Sequence, residues 1–564
     1  MSTYSVGLST TGHDPAIAVV SPDGEVIFAE ATERFLQSKR AWGAQPDQLS
    51  HIKPVLDEII HKDANAEFQI SLSWSGKKND IPVAKESPFI ATDTLEWMVA
   101  FQANLQQISG ANIRFVGGKR VRTEVFKFDH HLCHAANAAY SSHFSEASCF
   151  VLDGEGEVGA ATLFHWKEGF LKRKWRSWGP GSLGSFYTWA TEVCGFTSQY
   201  GEEWKVMGLA AYGEINHEWA AKLYTLFRVE DGRILWNEQS QIQKVVNFFN
   251  KIKQQDSSHY MEMADFAATV QHVYCKYATD ILNDIYVQEN LDNLILSGGC
   301  ALNSSFNGQI TSSTPFKSIH VPSAPADDGN AIGAALLGWQ KALQDELGTL
   351  KPIKYGKASP FLGSRPDVQG IDSYLQNLNY EVERCSSQSA SRVAELLSQG
   401  KIIGVMRGRA EFGPRALGNR SILADPRSSG MKATINKVVK GREGYRPFAP
   451  VIPEKHLSEW FENPQLSPYM SFALKWQKHA EGKVPAVVHN DVTGRLQTIN
   501  RHENGWLSAL VEEFYSLTGV PIVLNTSFNV MGKPIVHSVS DAILVLISSG
   551  LDAVLIEDTL ILKR

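Results

Sequence analysis

Twice in this chain a strand pattern, a glycine turn carrying an acid, and two further strand patterns follow one another closely. The first set covers residues 4–9, 16–20 and 26–30, with Gly12-His13-Asp14 after the first strand and Pro22-Asp23-Gly24 before the third. The second covers 148–152, 160–166 and 171–175, with Asp153-Gly154-Glu155-Gly156 and Glu168-Gly169 at the corresponding turns. Asp-Gly between two apolar runs is a hairpin signal. Two meanders of one design predict a duplicated α/β unit. Helical patterns at 261–288 and 331–347 occupy the space around them. A strand at 294–297 runs into Gly298-Gly299-Cys300-Ala301-Leu302-Asn303, where glycines let backbone amides approach a phosphate or sugar. A tight strand-to-helix turn explains the same residues equally well.

A chain of 564 residues exceeds one core, so two or more domains are expected. The Pro-, Gly-, Lys- and Ser-rich stretch around 351–366 reads as a connection, dividing a first domain, 1–350, from a second α/β domain, 367–564. The six cysteines are scattered without Cys-x-x-Cys spacing, which fits a reducing compartment and gives no zinc-ribbon signal. Residues 1–20 lack a basic segment followed by a long apolar core, so no signal peptide is expected. The apolar tail 542–562 is broken by Gly550, Asp552, Glu557 and Asp558 and reads as a helix and a buried strand, not a membrane span. A cytoplasmic protein without a membrane partner is expected. The net charge of −6 gives no global basic field, which argues against a nucleic-acid partner.

Cationic binding chemistry concentrates in the run 411–427, where Arg415 and Arg420 sit among Gly413, Pro414, Gly418 and apolar residues, with Arg407 and Arg409 just before. Arginine grips phosphate or carboxylate with a planar, permanently charged fork, so this run predicts a concave anion site. A salt-bridged loop is the plainer alternative.

His130 and His134 are four residues apart and share one helix face, as two ligands of one ion require; His131 points elsewhere. Asp129 would serve as cap or as an acceptor behind the ligands. Asp153 and Asp327, on glycine-rich turns, could complete the set. Two His and two Asp suit iron, manganese or zinc. His pairs of this spacing also occur for purely structural reasons.

In this order the pieces resemble the O-carbamoyltransferases of the NodU/CmcH/TobZ family over nearly the whole chain. The resemblance rests on Gly12-His13-Asp14, on Glu33-Arg34-Phe35, on the His/Asp set, and on Gly201-Glu202-Glu203-Trp204-Lys205-Val206-Met207-Gly208. It continues with the Gly413-Pro414-Arg415 run, Lys440-Gly441-Arg442-Glu443-Gly444-Tyr445-Arg446-Pro447, Arg495, and Leu524-Asn525-Thr526-Ser527. It implies a TsaD-like first domain of the actin and sugar-kinase (ASKHA) superfamily and a YrdC-like twisted α/β second domain. It also implies formation of carbamoyl-adenylate from carbamoyl phosphate and ATP with magnesium, then transfer to a hydroxyl of a small-molecule natural product. A homodimer is compatible with it.

By that resemblance, His130, His134, Asp153 and Asp327 hold a divalent metal, iron first among the three. Arg415, Lys440, Arg446 and Arg495 gather the anions, while Asn525 and Ser527 hydrogen-bond carbamoyl and phosphate oxygens. His13 beside Asp14 is the candidate general base for the acceptor. Glu202, Lys205, Gly298, Gly299 and Asn303 would line the cleft. A tRNA threonylcarbamoylation enzyme disagrees with the acidic balance. The hydrogenase-maturation carbamoyltransferases carry an acylphosphatase domain and zinc fingers that this sequence lacks. A non-enzymatic nucleotide sensor would not need every ligand and anion binder.

Overall fold

The computed structural model describes residues 2–75, 89, 92–177, 181–254, 257–356, 358–369, 371–376 and 380–563. Two compact units are present. The first comprises residues 1–36, 40–303 and 309–358, and the second 37–39, 304–308 and 359–564.

The first unit repeats one sheet. Strands β1 (Ser2–Ser9), β2 (Ala16–Val20) and β3 (Val26–Ala31) form an antiparallel meander, and β4 (Ala66–Leu72) and β5 (Val121–Lys127) extend it in parallel on the β1 side. The second sheet follows the same plan. Its meander is β6 (Glu146–Leu152), β7 (Ala161–Lys167) and β8 (Phe170–Arg176). After a separate hairpin, β9 (Phe227–Glu230) with β10 (Arg233–Trp236), strands β11 (Asn293–Ser297) and β12 (Ser318–His320) continue in parallel from β6. Val6, Leu8, Ile17, Val19, Phe68 and Ile70 of the first sheet pack on Ile52, Leu56 and Ile59 of the helix Leu49–Lys62.

Two glycines set how closely the layers approach. A Cβ on Gly7 of β1 would lie 2.0 Å from the Ala331 carbonyl oxygen, and one on Gly333 would lie 1.9 Å from that of Cys133. The helix Asn330–Leu347 therefore touches both β1 and the helix His130–Ser141 backbone to backbone. The helical pattern at 261–288 is an α-helix, Ala264–Glu289, preceded by a 3-10 segment, Ser257–Met263, that is itself kinked at His259.

In the second unit, an eight-stranded mixed sheet runs in the order β13-β22-β21-β14-β15-β20-β16-β19. Its strands are β13 (Glu381–Arg384), β14 (Ile403–Met406), β15 (Arg420–Ala424), β16 (Ala449–Pro453), β19 (Gln497–Ile499), β20 (Val523–Ser527), β21 (Ala553–Ile556) and β22 (Thr559–Leu562); β17 (Ala473–Lys475) and β18 (Thr493–Arg495) pair separately. Val393 and Leu397 of Ser389–Ser398, and Leu507, Val511 and Phe514 of Gly505–Thr518, cover one face of the large sheet.

Two expectations change here. The tail is a helix, Val539–Ser548, followed by a hairpin of two strands, because Glu557 takes the left-handed conformation (φ 47°) without a glycine to signal the turn. Residues 359–364, read as connection, run against 409–412: Phe412 N–H donates to the Pro360 carbonyl (2.7 Å) and Gly363 N–H to that of Ala410 (2.9 Å). No helix among the described residues is long and apolar enough to cross a membrane.

Candidate metal centre and anion site

Asp129 caps the helix His130–Ser141 by accepting from Leu132 N–H at 3.0 Å, and His130 and His134 follow one turn apart on its buried face. Asp153 directly follows β6, and Asp327 lies in the turn before Asn330–Leu347, where Ser9 Oγ donates to its carbonyl at 2.7 Å. The close helix crossing at Gly333 thus brings the four side chains together. Their donor atoms lie within 4.8 Å of one another. His130 Nε2 is 3.1 Å from Asp153 Oδ2 and 3.5 Å from Asp327 Oδ1; His134 Nε2 is 3.2 and 3.3 Å from the same oxygens.

Burial disfavours charge here, yet the partners prevail. Burial lowers the His134 imidazole, but Asp153 and Asp327 raise it to about 10, and the two rings hold Asp153 well below the usual carboxylate range despite its burial. The two Nε2 atoms face each other at 3.2 Å, too close for two protonated rings, and a divalent cation would satisfy both together with the two carboxylates. The donor set therefore fits a divalent metal. Asn330 adds support behind it. Its amide reaches His130 Nδ1 at 3.2 Å while its Oδ1 is buried without a partner. With the amide turned so that oxygen faces the ring, Nδ1–H donates and the Nε2 lone pair points to the ligand set. His131 turns away to Thr162 Oγ1 (2.8 Å). Glu157, not anticipated, accepts from the N–H groups of His130 (2.9 Å) and Ser75 (2.8 Å).

His13 Nδ1 lies 3.0 Å from Asp14 Oδ2 and 3.6 Å from Asp327 Oδ2, which sets it beside the metal-type cluster. Arg40, also not anticipated, organises this pair. Its Nε and Nη2 donate to Asp14 Oδ2 (3.1 and 2.9 Å), Nη2 lies 2.9 Å from His13 Nδ1, and its guanidinium stacks over Trp42 at 5.3 Å. Burial would raise Asp14, but Arg40 and the His13 hydrogen bond hold it well below its ordinary range. Both Asp14 (φ 50°) and Arg40 (φ 58°) are left-handed, tied by Asp14 N–H to the Arg40 carbonyl (2.9 Å). Such strain persists where surrounding contacts over-determine it.

The expected cleft residues divide. Glu202 and Lys205 pair with each other at 2.5 Å, whereas the next acid, Glu203, is the one electrostatically coupled to Arg40, Asp14 and His13. Gly299 N–H donates to Asp153 Oδ1 at 2.8 Å, and Gly298 (φ 91°) packs against the Leu152 carbonyl. Asn303 exchanges two hydrogen bonds of 3.1 Å with Gln271.

In the second unit the arginines sort by partner. Arg420 is fully buried and donates to the carbonyls of Arg407, Asn419, Ser364 and Gly408, so it builds the loop and faces no ligand. Arg407 pairs with Asp558 at 2.6 Å, and Arg409 holds the Leu362 and Gly363 carbonyls. Glu411 Oε1 accepts from the N–H groups of Leu417, Asn419 and Arg420, fixing the turn that carries Arg415. The side chains of Arg415 and Arg495 make no hydrogen bond or ion pair among the described residues, and Arg495 Nε is buried.

Arg442, missing from the expected set although it lies in a quoted motif, is held through Nε by Asn436 Oδ1 (2.7 Å) and stacked on Phe448 (5.0 Å). Arg446 pairs with Glu443 at 2.5 Å. Lys440 ends a π-helical turn, Ile435–Lys440, and donates to oxygens of Ser527 and Asn529. Burial pushes these cations toward neutrality and they repel one another. Arg442 falls to about 9 by burial and Arg446, Arg415 to about 10 by burial, and Arg495 well below its usual value by burial, Arg415 and Arg442. Lys440 is lowered likewise, by burial and then by Arg442 and Arg446. A polyanion is the natural complement of such a cluster.

Family comparison places the chain as a whole. A model described as carbamoyltransferase N-terminus matches residues 5–336, and one described as carbamoyltransferase C-terminus matches residues 394–563. The chain belongs to the carbamoyltransferase family. It is an enzyme that transfers carbamoyl groups. This carbamoyltransferase is 35% identical to nodulation protein NolNO of Sinorhizobium fredii, over 99% of this chain and 80% of that protein. It is 30% identical to the uncharacterized protein sll1178 of Synechocystis, over 100% and 97% of the two chains. Nodulation protein U of Sinorhizobium fredii is 29% identical over 92% of this chain and 93% of its own. A solved structure of full-length HypF in the phosphate- and nucleotide-bound form aligns over 61% of this chain and 47% of that one, at 11% identity and TM-score 0.36.

Proposed function

We propose that this carbamoyltransferase uses ATP to activate carbamoyl phosphate as carbamoyl-adenylate in its second unit and then carbamoylates a hydroxyl of a small molecule in its first. The repeated sheet supports reading the first unit as an ASKHA-type, TsaD-like transfer domain, and the second unit, from residue 359 on, as a YrdC-like adenylate-forming domain. The observation that carries the proposal is the group Arg415, Arg442 and Arg495, cations without a carboxylate ion pair among the described residues.

In the first step water releases inorganic phosphate from carbamoyl phosphate. The resulting carbamate oxygen attacks the α-phosphorus of magnesium-bound ATP, forming the mixed anhydride and expelling pyrophosphate. Several anions must approach one another, and the arginines together with Arg446 lower that repulsion. Lys440 acts by holding the turn 527–529 in place. In the second step the acceptor oxygen forms the new C–O bond, the bond to AMP breaks, and the hydroxyl proton leaves to a base. His13 is positioned by Asp14 and Arg40 for that proton. A divalent metal held by His130, His134, Asp153 and Asp327 would supply Lewis acidity for the carbamoyl or phosphate oxygen.

The test is release of pyrophosphate and AMP by purified protein given ATP and magnesium, with and without carbamoyl phosphate. Release that depends on carbamoyl phosphate and drops at least about 100-fold in Arg415→Ala is expected. Absence of such release, with metal and polyol acceptors supplied, overturns adenylate formation. His13→Asn should keep pyrophosphate release and lose acceptor carbamoylation.

A further inference from the structure

The chain enters β18 through a strained turn. Val492 is left-handed (φ 59°), a conformation that a β-branched residue rarely adopts. His489 N–H donates to the Thr493 carbonyl (2.8 Å) and Val492 N–H to the His489 carbonyl (3.0 Å), which pins the turn. Strain of this kind collects where a side chain must be aimed, and the side chain this turn carries is His489.

The ring proton of His489 can be placed. Thr493 Oγ1 lies 2.7 Å from Asp491 Oδ1, and a carboxylate can only accept, so the hydroxyl proton goes to Asp491. Oγ1 is then the acceptor for His489 Nδ1–H at 3.1 Å. Nε2 keeps its lone pair, and it is buried without a hydrogen-bond partner among the described residues. Burial lowers the imidazole to about 4; Asp491 and the Phe448 carbonyl oppose that, while Arg495 and Lys432 add to it. The ring is therefore neutral at neutral pH. A base oriented by a third group is how enzymes prepare a proton acceptor, and here Asp491 orients His489 through Thr493.

Its surroundings set what such a base can do. Thr493 and Arg495 are two apart in β18 and share one face, so the ring stands on the side of the strand that bears Arg495. Arg495 is in turn coupled to Arg415 and Arg442. In the proposed first step a water must lose a proton as its oxygen bonds to the carbamoyl carbon, and arginines cannot take that proton.

We propose that His489 Nε2 is the base for water in the hydrolysis of carbamoyl phosphate, the part of the first step that precedes attack on ATP. As the water oxygen bonds to the carbamoyl carbon, one of its protons passes to Nε2. The bond from that carbon to the phosphate oxygen breaks, and the imidazolium returns the proton to the departing phosphate. Carbamic acid sheds its remaining proton to solvent, and carbamate is left to attack ATP. This inference rests on the proposed adenylate route and adds a catalytic residue to it.

Pyrophosphate release by the full chain, with ATP and magnesium, is compared for two donors: carbamoyl phosphate, which needs the hydrolysis, and ammonium carbamate, which does not. Wild-type protein should use both. His489→Gln should lower release with carbamoyl phosphate by about 100-fold or more and keep release with carbamate within about 3-fold of wild type. Thr493→Val, close to threonine in shape, should show the same split at about 10-fold and answers the question if His489→Gln does not fold. Equal losses with both donors in a folded variant mean a structural role and overturn the inference, as does an unchanged rate with carbamoyl phosphate. Wild-type release with only one of the two donors also overturns it, because carbamate would not be the product on the route, and adenylate formation then stands. Release with neither donor removes adenylate formation and this inference with it.

Discussion

At the scale of single residues, the least expected arrangement is Arg40 on Asp14 and His13. Desolvation of the half-buried Asp14 carboxylate disfavours its charge, and Arg40 with His13 reverses that tendency. The depressed carboxyl contributes stability that is fully present above the ordinary aspartate range and is lost as pH falls through the lowered folded value. Arg40→Gln should therefore destabilise the first unit by about 2–3 kcal/mol at neutral pH, less than a fully buried pair because both side chains keep some solvent contact. The difference from wild type should shrink toward pH 3. Urea unfolding followed at pH 7 and pH 3 reads this directly, and a difference that is the same at both values would remove Arg40 from the account. With acceptor turnover measured, kcat should fall more than KM changes, because Arg40 positions His13 and is not argued to touch the acceptor.

At the scale of elements, the metal-type cluster depends on how closely two helices cross. Gly333 permits the helix Asn330–Leu347 to touch the Cys133 backbone, and Asp327 lies just before that helix while His130 and His134 flank Cys133. Gly333→Ala must push the helices apart, since a Cβ at 1.9 Å from a carbonyl oxygen cannot be accommodated otherwise. A cost of about 1–3 kcal/mol is expected, together with less than half of the wild-type bound metal per chain by elemental analysis. Wild-type metal content in a folded Gly333→Ala protein would show that the crossing does not set the ligand spacing. Sequence alone conveyed much at this scale: the two meanders, the helical face shared by His130 and His134, and the turns bearing Asp153 and Asp327. It could not assign the arginines. Arg415 and Arg420 look equivalent in the run 411–427, and only the fold shows that Arg420 satisfies four carbonyls while the Arg415 side chain has no hydrogen-bond or ion-pair partner among the described residues. Asn436 and Asn525 were obscure for the same reason: Asn436 holds Arg442, and Asn525 Nδ2 already donates to the Ala416 carbonyl.

At the scale of the whole molecule, the two candidate sites fall in different compact units, with acids and imidazoles in the first and arginines in the second, and the proposed function gives one step to each. That division predicts an asymmetric response to substitution. His130→Ala removes a metal-type ligand of the first unit, so on the proposed division carbamoyl phosphate-dependent pyrophosphate release should stay within about 3-fold of wild type while carbamoylation of the acceptor falls by about 100-fold or more. Arg415→Ala should abolish both, because an adenylate that is never formed cannot be transferred. Arg415→Ala protein supplied with chemically prepared carbamoyl-adenylate should then recover acceptor carbamoylation, and His130→Ala protein should not. Pyrophosphate release and acceptor carbamoylation measured on the same preparations separate these cases. Loss of pyrophosphate release in a folded His130→Ala protein would mean that the first unit takes part in activation, and the assignment of one step to each unit would fail.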